Sequence, residues 1–188
     1  EAFQGDDPKL AKLKALLVGG VPEDPTPWVK YGCMIFSQYV DTARYMAEAI
    51  SRSSDITVDV GLYAGGNNSG VYRSGSFQRC SKEELKKLVK DGQLKILFGI
   101  DAASEGLNLQ RLGTLINIDL PWNPTRLEQR KGRIQRIGQR RDTVYVYNMR
   151  YHGSVEDRVH KILSERLEQI NDLFGQIPDV LEAVWINE

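Results

Sequence analysis

The chain has 188 residues, enough for a domain with its own core, and its 41% hydrophobic and 27% charged residues are ordinary for a soluble globular protein. A formal net charge of zero argues against a dedicated nucleic-acid coat protein, and two cysteines with two histidines cannot form a disulfide framework or a zinc site. No apolar run is long enough to span a bilayer and no signal peptide opens the sequence, so we expect a cytoplasmic protein, or a nuclear one in a eukaryote. Because the first residue is Glu1 rather than Met, we also expect a longer parent protein.

Short apolar segments alternate with helical patterns along the chain. The apolar segments carry β-branched and aromatic residues with little strict alternation, which is typical of strands buried on both faces. The pattern predicts helices at 8–18, 40–52, 81–90 and 124–137, and strands at 33–37, 58–63, 95–100, 114–119 and 143–148. This alternation predicts an α/β fold, with a mostly parallel sheet covered by helices on both faces.

Local signals mark two helix starts and one surface segment. Ser81 and Glu84 have capping-box spacing, which predicts the start of a helix. Residues 65–76 (GGNNSGVYRSGS) are rich in Gly, Ser and Asn, which predicts a flexible loop. Ser154 and Asp157 predict the start of a long C-terminal helix whose apolar stripe is most simply a packing face.

Polar and glycine-rich segments follow four of the predicted strands. Since ligands of doubly wound sheets bind at the carboxyl ends of the strands, we expect these segments to meet at one edge. Short polar residues and glycines there would let backbone N–H groups approach phosphates. The segments are 37–39, 63–65, 101–109 and 121–124.

A basic run, TRLEQRKGRIQRIGQ, occupies residues 125–139. On a helix, Gln129, Arg133 and Arg136 would lie along one face, and Gly132 would allow close approach. An amide and two guanidiniums in a row suit a polyphosphate, because guanidinium is always charged and binds phosphate oxygens bidentately. A solvated basic helix face is the alternative for such a run taken alone. Charge segregation also points to an anionic partner, since 111–150 holds nine Lys/Arg against three Asp/Glu.

The flanking sequence resembles a known family. Residues 99–109 and 119–139 resemble motifs V and VI of the superfamily-two helicases as they occur in the Swi/Snf family, with DLPWNP and RIQRIGQ similar to that family's WNP and HRIGQ signatures. Ser104-Glu105-Gly106 and Leu120-Pro121 are closer to the bacterial RapA-like branch. Residues 34–50 resemble motif IV with its helix, and the resemblance extends over roughly 9–164.

The resemblance implies the second RecA-like lobe of a two-lobed, ATP-driven motor that translocates on double-stranded DNA. The lobe would occupy residues 1–150, and a brace helix and tail would occupy 151–188. Arg133 and Arg136 correspond to the motif VI arginines that reach the ATP γ-phosphate, and Gln129 to the glutamine near the phosphates or the attacking water. Gly132 would lie close to the nucleotide.

Motifs IV and V supply the remaining site residues that the resemblance implies. Glu105, Gly106 and Asn108 would couple the nucleotide and nucleic-acid sites, with Asn108 hydrogen-bonded to the ribose. The motif IV pair Ser37 and Gln38 would lie near a nucleic-acid phosphate. Trp122 and Asn123 would lie against the nucleic-acid groove, although Trp122 between two prolines could instead pack the turn.

Two positions depart from the family pattern. Gly99 and Ile100 stand where motif V commonly has a Ser-Thr pair, so a hydroxyl that could contact a phosphate is absent. Gln135 replaces the histidine of the HRIGQ signature. Both changes weaken a detailed transfer from chromatin remodellers, but neither removes the arginines.

The sequence holds no phosphate-loop motif and no acidic segment of the kind that holds Mg²⁺ in this family. We therefore expect that the first lobe of the parent makes most of the contacts to Mg²⁺ and ATP. We expect this chain alone to hydrolyse no ATP. Expected partners are that lobe, duplex DNA and a protein complex to be remodelled. The alternatives are an RNA-acting DEAD-box-type lobe, whose motif VI typically ends differently from Arg136-Ile-Gly-Gln-Arg140, and a non-catalytic docking lobe.

Overall fold

The computed structural model describes residues 7–101, 109–135, 139, 141, 143–158, 161, 162 and 165. The helices are α1 (Pro8–Gly19), α2 (Trp28–Tyr31), α3 (Val40–Ser51), α4 (Lys82–Asp91) and α5 (Pro124–Lys131). The strands are β1 (Cys33–Ser37), β2 (Val60–Tyr63), β3 (Gly70–Arg73), β4 (Ser76–Arg79), β5 (Ile96–Ile100), β6 (Thr114–Asn117) and β7 (Tyr145–Asn148). The five predicted strands and the helices predicted at 8–18, 40–52 and 81–90 are present, with boundaries that differ by at most two residues. None of the described helices is both long and apolar enough to cross a membrane.

All seven strands form one sheet in the order β4-β3-β2-β5-β1-β6-β7. Strands β2, β5, β1, β6 and β7 are parallel to one another. The other two, β3 and β4, are added to β2 as an antiparallel hairpin. The central strands β1, β2, β5 and β6 are buried at every position. That burial explains their continuous apolar sequences, since a parallel sheet is covered on both faces.

Helices α3 and α4 cover opposite faces of the sheet. Helix α3 packs against β2 and β3, where Val60 pairs with Tyr72, and burial together with the Glu48 carboxylate of α3 raises the pKa of Tyr72. A β-carbon on the next residue, Gly61, would lie 3.5 Å from Leu85 Cδ2 of α4. Since successive residues of a strand point to opposite faces, the two helices enclose the sheet between them, as predicted.

The start of α4 is fixed by the predicted capping box. The Ser81 hydroxyl accepts from the Glu84 amide at 3.1 Å, and the Glu84 carboxylate accepts from the Ser81 amide at 2.7 Å. These bonds lower the pKa of Glu84. The helix ends at Gly92 in the left-handed conformation (φ 77°), which a glycine adopts without steric cost.

The prediction of a flexible loop at 65–76 is wrong, because much of that segment forms the β3–β4 hairpin. A β-carbon on Gly70 would lie 2.4 Å from the Gln78 carbonyl oxygen and 2.5 Å from the Phe77 ring, so the glycine permits the two strands to pair closely. Ser74 and Gly75 turn the chain with positive φ, and the rings of Tyr72 and Phe77 pack 4.7 Å apart. Glycine and serine, which usually indicate a loop, here serve close strand contact and the turn.

The basic run is also less helical than predicted. Helix α5 ends at Lys131, and beyond it the Arg133 and Ile134 amides donate to carbonyls three residues back, whereas the Gln135 amide donates to the Lys131 carbonyl four residues back. The regular helix predicted through Arg133 therefore gives way to mixed three- and four-residue turns after Lys131.

The C-terminal region is described only at its start. Residues 155–158 are helical, and the Ser154 hydroxyl accepts from the Glu156 amide at 3.1 Å. Most of the predicted brace helix and tail lies outside the described residues.

Candidate functional site at the carboxyl edge of the sheet

The predicted convergence of strand ends is confirmed. Strands β2, β5, β1 and β6 are parallel neighbours, so the residues that follow them lie at one edge of the sheet. Tyr63, Asp101, Ser37 and the segment 118–123 share this carboxyl edge. Glu105, Gly106 and Asn108, predicted to bind nucleotide, lie outside the described residues.

Arg130, near the end of α5, connects the ends of β5 and β6. Its Nε and Nη2 donate to the two carboxylate oxygens of Asp101 at 2.6 and 2.8 Å, in the bidentate geometry that guanidinium favours. Its Nη1 donates to the Asn117 side-chain oxygen at 2.8 Å and to the Asp119 carbonyl at 2.9 Å. The side chain is 2% exposed and stacks over the Phe36 ring, with 5.3 Å to its centroid. A buried charge with this many partners fixes the local geometry, since its loss would cost each partner a charge-assisted hydrogen bond.

Asp119 extends the connection from β6 to β1. Its carboxylate accepts from the Ser37 hydroxyl at 2.6 Å and from the Gln38 amide at 2.9 Å, and lies 3.6 Å from Arg130 Nη2. The Gln38 side chain donates to the Leu120 carbonyl at 3.2 Å. Two predicted site residues, Ser37 and Gln38, are thus brought to Asp119. The Ser37 hydroxyl is fully buried and bonded within the protein.

The network continues along β6 to β7 and α1. The Asn117 amide donates to the Asn148 side-chain oxygen at 2.7 Å. Lys9 of α1 donates to the Ile118 carbonyl at 2.7 Å and forms an ion pair with Glu156 at 2.7 Å. The first helix, the central strands and the start of the C-terminal helix are therefore joined by polar contacts beside the carboxyl edge.

Arg133 has the opposite environment from Arg130. Its backbone carbonyl accepts from the Leu109 amide at 3.2 Å, which joins the basic run to the last residue of the segment after β5. The side chain is half-buried, and within the described part of the chain its guanidinium makes no hydrogen bond or ion pair. Gln129 is exposed and Gly132 is half-buried. Arg136 lies outside the described residues.

The turn after β6 presents an aromatic side chain to solvent. Trp122 is 62% exposed, so its indole does not pack the turn into the core. Asn123 is the N-cap of α5, and its side-chain oxygen accepts from the Thr125 amide at 3.0 Å. Tyr39, adjacent to the anchored Gln38, is also exposed.

Sequence reasoning missed Arg130, Asp101, Asn117 and Asp119. It selected the residues spaced along one presumed helical face. Arg130 directly follows Gln129 in sequence and therefore falls outside that face. A signal was present, since Asp101 and Asp119 follow buried strands and a buried carboxylate requires a cation or several donors.

One carboxyl group of α5 has a shifted pKa. Burial raises the pKa of Glu128 on α5, and the nearby Lys131 partly offsets the effect. Among the described residues, no group of three or more His, Cys, Asp or Glu side chains is placed to hold a metal ion.

Comparisons with known proteins agree with the fold and the motifs. The family described as "Helicase conserved C-terminal domain" matches residues 29–138, more than half of the chain. The chain is 40% identical over 136 residues to the uncharacterized ATP-dependent helicase YqhH of Bacillus subtilis (strain 168), covering 72% of this chain and 24% of that protein. It is 37% identical over 100 residues to the RNA polymerase-associated protein RapA of Haemophilus influenzae (strain PittEE), covering 50% of this chain and 11% of RapA.

Solved structures show the same fold. The C-terminal part of the Fun30 ATPase domain superposes with a TM-score of 0.64 at 21% identity, covering 84% of this chain and 45% of that one. The E. coli DEAD-box protein SrmB superposes with a TM-score of 0.53 at 19% identity, covering 75% of this chain and 69% of that one. The RecA-like fold predicted from the motifs is confirmed, as is the similarity to RapA-like proteins. The chain spans about a quarter or less of the curated relatives it matches, and it belongs to the helicase conserved C-terminal domain family.

Proposed function

We propose that this chain is the second RecA-like lobe of an ATP-dependent motor that moves on double-stranded DNA. In this proposal Arg133 and Arg136 reach across a cleft to the γ-phosphate of an ATP held, with its Mg²⁺, mainly by a first lobe. Gln129 and Gly132 lie near the phosphates, and Glu105, Gly106 and Asn108 couple the nucleotide to the nucleic acid. Gln38, Trp122, Asn123 and, through Asp119, Ser37 form part of the nucleic-acid track.

The contrast between Arg130 and Arg133 carries the proposal. Arg130 uses its guanidinium on Asp101, Asn117 and Asp119 and is buried. Arg133 has its backbone anchored at Leu109, while its guanidinium makes no hydrogen bond or ion pair in the described part of the chain. A guanidinium on an anchored backbone, with no partner among the described residues, is suited to a charge supplied by a ligand, such as a phosphoryl group in transfer.

The nucleic-acid role draws support from the turn after β6 and from the edge beside it. Tyr39 and Trp122 are exposed aromatics: Tyr39 follows Gln38, whose backbone amide is fixed by Asp119, and Trp122 lies two residues after Leu120, whose carbonyl accepts from the Gln38 side chain. Exposed aromatic side chains beside fixed polar groups are common at nucleic-acid contacts. The relative RapA is named as RNA polymerase-associated, which is compatible with a motor that acts on DNA during transcription.

ATP hydrolysis by the full-length protein tests the proposal. It is measured without nucleic acid and with duplex DNA, single-stranded DNA or RNA. We expect strong stimulation by duplex DNA and loss of that stimulation in Arg133→Ala. The matched control is Arg52→Ala, which removes an exposed guanidinium at the end of α3 and leaves the rate unchanged. Preferential stimulation by RNA would instead favour an RNA helicase, and no hydrolysis under any condition would favour a docking lobe.

The isolated chain provides a second test. Stabilising a transferring phosphoryl group requires charges on both sides of it, and this chain contributes one side in the proposal. We expect no ATP hydrolysis above background from the purified chain. ATP hydrolysis by the isolated chain that disappears in Arg133→Ala would contradict the proposal that two lobes together supply the catalytic groups.

A further inference from the structure

A second basic site lies at the opposite edge of the sheet from the candidate site. An open pocket of about 360 Å³ is formed beside the amino-terminal ends of β1, β5 and β6. We call it the amino-edge pocket, and its lining includes Lys30, Lys95, Arg111, Arg141, Gly32 and Gly92. None of its lining residues belongs to the helicase motifs or to the proposed nucleotide contacts, although the Gln139 side chain of motif VI donates to the Leu112 carbonyl beside it at 3.1 Å.

The charge of the amino-edge pocket has one sign. Four cationic side chains line it, and among the described residues no Asp or Glu does. Lys30, Lys95 and Arg111 form no ion pair within the described ranges. Several like charges around one small volume repel each other, so a multiply charged anion there would be favoured.

Arg141 is held in place by its surroundings. Arg141 donates from Nη2 to the Lys30 carbonyl at 3.0 Å and lies over the Tyr31 ring, 4.5 Å from its centroid. A β-carbon on Gly113 would lie 2.4 Å from Arg141 Cδ, so this glycine leaves the space that the arginine occupies. Holding a guanidinium in place before binding lowers the entropy lost when it contacts a ligand.

Arg111 is accommodated in the same way. A β-carbon on Gly92 would lie 2.4 Å from Arg111 Nη1. Arg111 Nε is buried and has no hydrogen-bond partner within the described residues, which is costly for a charged group without compensation. An anion at the terminal nitrogens of Arg111 would supply compensating charge.

We propose that the amino-edge pocket binds a phosphate group. Arginine and lysine together suit phosphate, since guanidinium binds its oxygens bidentately and the ammonium groups add charge. Four cations exceed what a single carboxylate needs and fit a di- or trianion. The group can belong to a free polyphosphate or to a nucleic-acid backbone, and binding measurements separate these sources.

The test is a titration of the ¹⁵N-labelled chain with pyrophosphate at constant ionic strength, following the backbone amides of Gly32 and Gly92 by NMR. The titration is done in Arg133→Ala, Arg136→Ala, so that phosphate binding at the two proposed nucleotide-facing arginines does not contribute. We expect saturable shifts, and a dissociation constant about tenfold higher in Arg111→Gln, the size expected for one charged hydrogen bond. Lys95→Gln, at an exposed position, should weaken binding in the same direction and tests the site should Arg111→Gln fold poorly.

The control is Lys87→Gln, which removes one exposed positive charge from α4 outside the pocket and should change the affinity by less than about twofold. No saturable shift at Gly32 and Gly92, or equal weakening by all three substitutions, would overturn the proposal. So would a stability loss in Arg111→Gln with unchanged pyrophosphate affinity, which would mean that Arg111 only packs beside Gly92 at the end of α4. Tighter binding of a glutamate-rich peptide than of pyrophosphate would point to an acidic protein instead.

A duplex-DNA titration identifies the source of the phosphate. Competition between a short duplex and pyrophosphate for the same amide shifts would support a nucleic-acid backbone as the ligand. Pyrophosphate binding without competition would support a free phosphate compound. The proposed motor function uses none of the residues that line this pocket. A negative result here would therefore not contradict that proposal.

Discussion

Arg130 and Arg133 lie three positions apart, but their side chains have different surroundings. Arg130 is buried among Asp101, Asn117 and Asp119, so its removal would take the bidentate partner from Asp101 and the nearby guanidinium from Asp119. We expect Arg130→Ala to lower the free energy of unfolding by about 3–5 kcal/mol, the cost of breaking a buried pair. Urea denaturation measures this free energy.

Arg126→Ala is the control, because the Arg126 side chain is 55% exposed and lies 3.8 Å from Asp101. This substitution should lower the free energy of unfolding by less than about 1 kcal/mol. Equal losses in the two variants would contradict a structural role for Arg130.

Asp24 provides a test of pH dependence at the scale of one residue. Its carboxylate accepts from the Tyr31 hydroxyl at 2.6 Å, the Thr26 amide at 3.1 Å and the Tyr145 hydroxyl at 2.9 Å, and these bonds hold its pKa well below the usual range. A depressed pKa stabilises the fold above the unfolded-state pKa of about 3.9, and this contribution is lost as the pH falls toward the folded-state value. We expect Asp24→Asn to be less stable than the native chain at pH 7 and the difference to shrink below about pH 4. Urea midpoints at several pH values measure this, and a difference independent of pH would contradict it.

At the scale of elements, the β3–β4 hairpin depends on Gly70. A methyl group there would meet the Gln78 carbonyl, a backbone atom that cannot move without disturbing the pairing. We expect Gly70→Ala to destabilise the chain by about 1–3 kcal/mol, as overpacking does. Gly65→Ala is the control, because a β-carbon there has no neighbour within 4 Å, and it should change stability by less than about 1 kcal/mol. Thermal unfolding of both variants measures the difference, and equal stability would mean that the hairpin tolerates a side chain at Gly70.

The elements that were predictable from sequence are those whose apolar pattern fits one type of secondary structure only. The parallel strands are short apolar runs between helical patterns, and their carboxyl ends had to meet. The hairpin was missed because Gly70, Ser74 and Gly75 are loop-type residues whose role depends on strands distant in sequence. Arg130 was missed for a related reason, since its partners Asp101 and Asp119 become neighbours only when β5 and β6 lie on either side of β1.

One departure from the family pattern has a packing explanation. Gly99 stands where the family commonly has serine, and a β-carbon there would lie 2.4 Å from Met34 Cε. Met34 on β1 thus occupies the space that a side chain at Gly99 would need. Local sequence could not reveal this compensation, because the two residues are on neighbouring strands and 65 positions apart.

At the scale of the whole molecule, Cys33 reports on cooperative opening. It is fully buried on the central strand β1, and burial raises its pKa to about 12. In Cys80→Ser, which leaves Cys33 as the single thiol, we expect a thiol reagent at pH 8 to react only as fast as the chain unfolds. The measurement is the labelling rate against urea concentration. Rapid labelling in the absence of urea would contradict a central strand that is closed to solvent.

In the proposed motor, Arg133 acts on the nucleotide while Arg130 holds the lobe together, and the turnover number of the full-length protein with saturating duplex DNA tests this difference most directly. We predict that Arg133→Ala lowers kcat for ATP hydrolysis by about 10³-fold or more, the range seen when an arginine finger is lost. Its urea midpoint should stay native, since its guanidinium makes no hydrogen bond or ion pair in the described part of the chain. A near-native kcat in Arg133→Ala, or a loss of activity matched by a loss of folding, would contradict the claim.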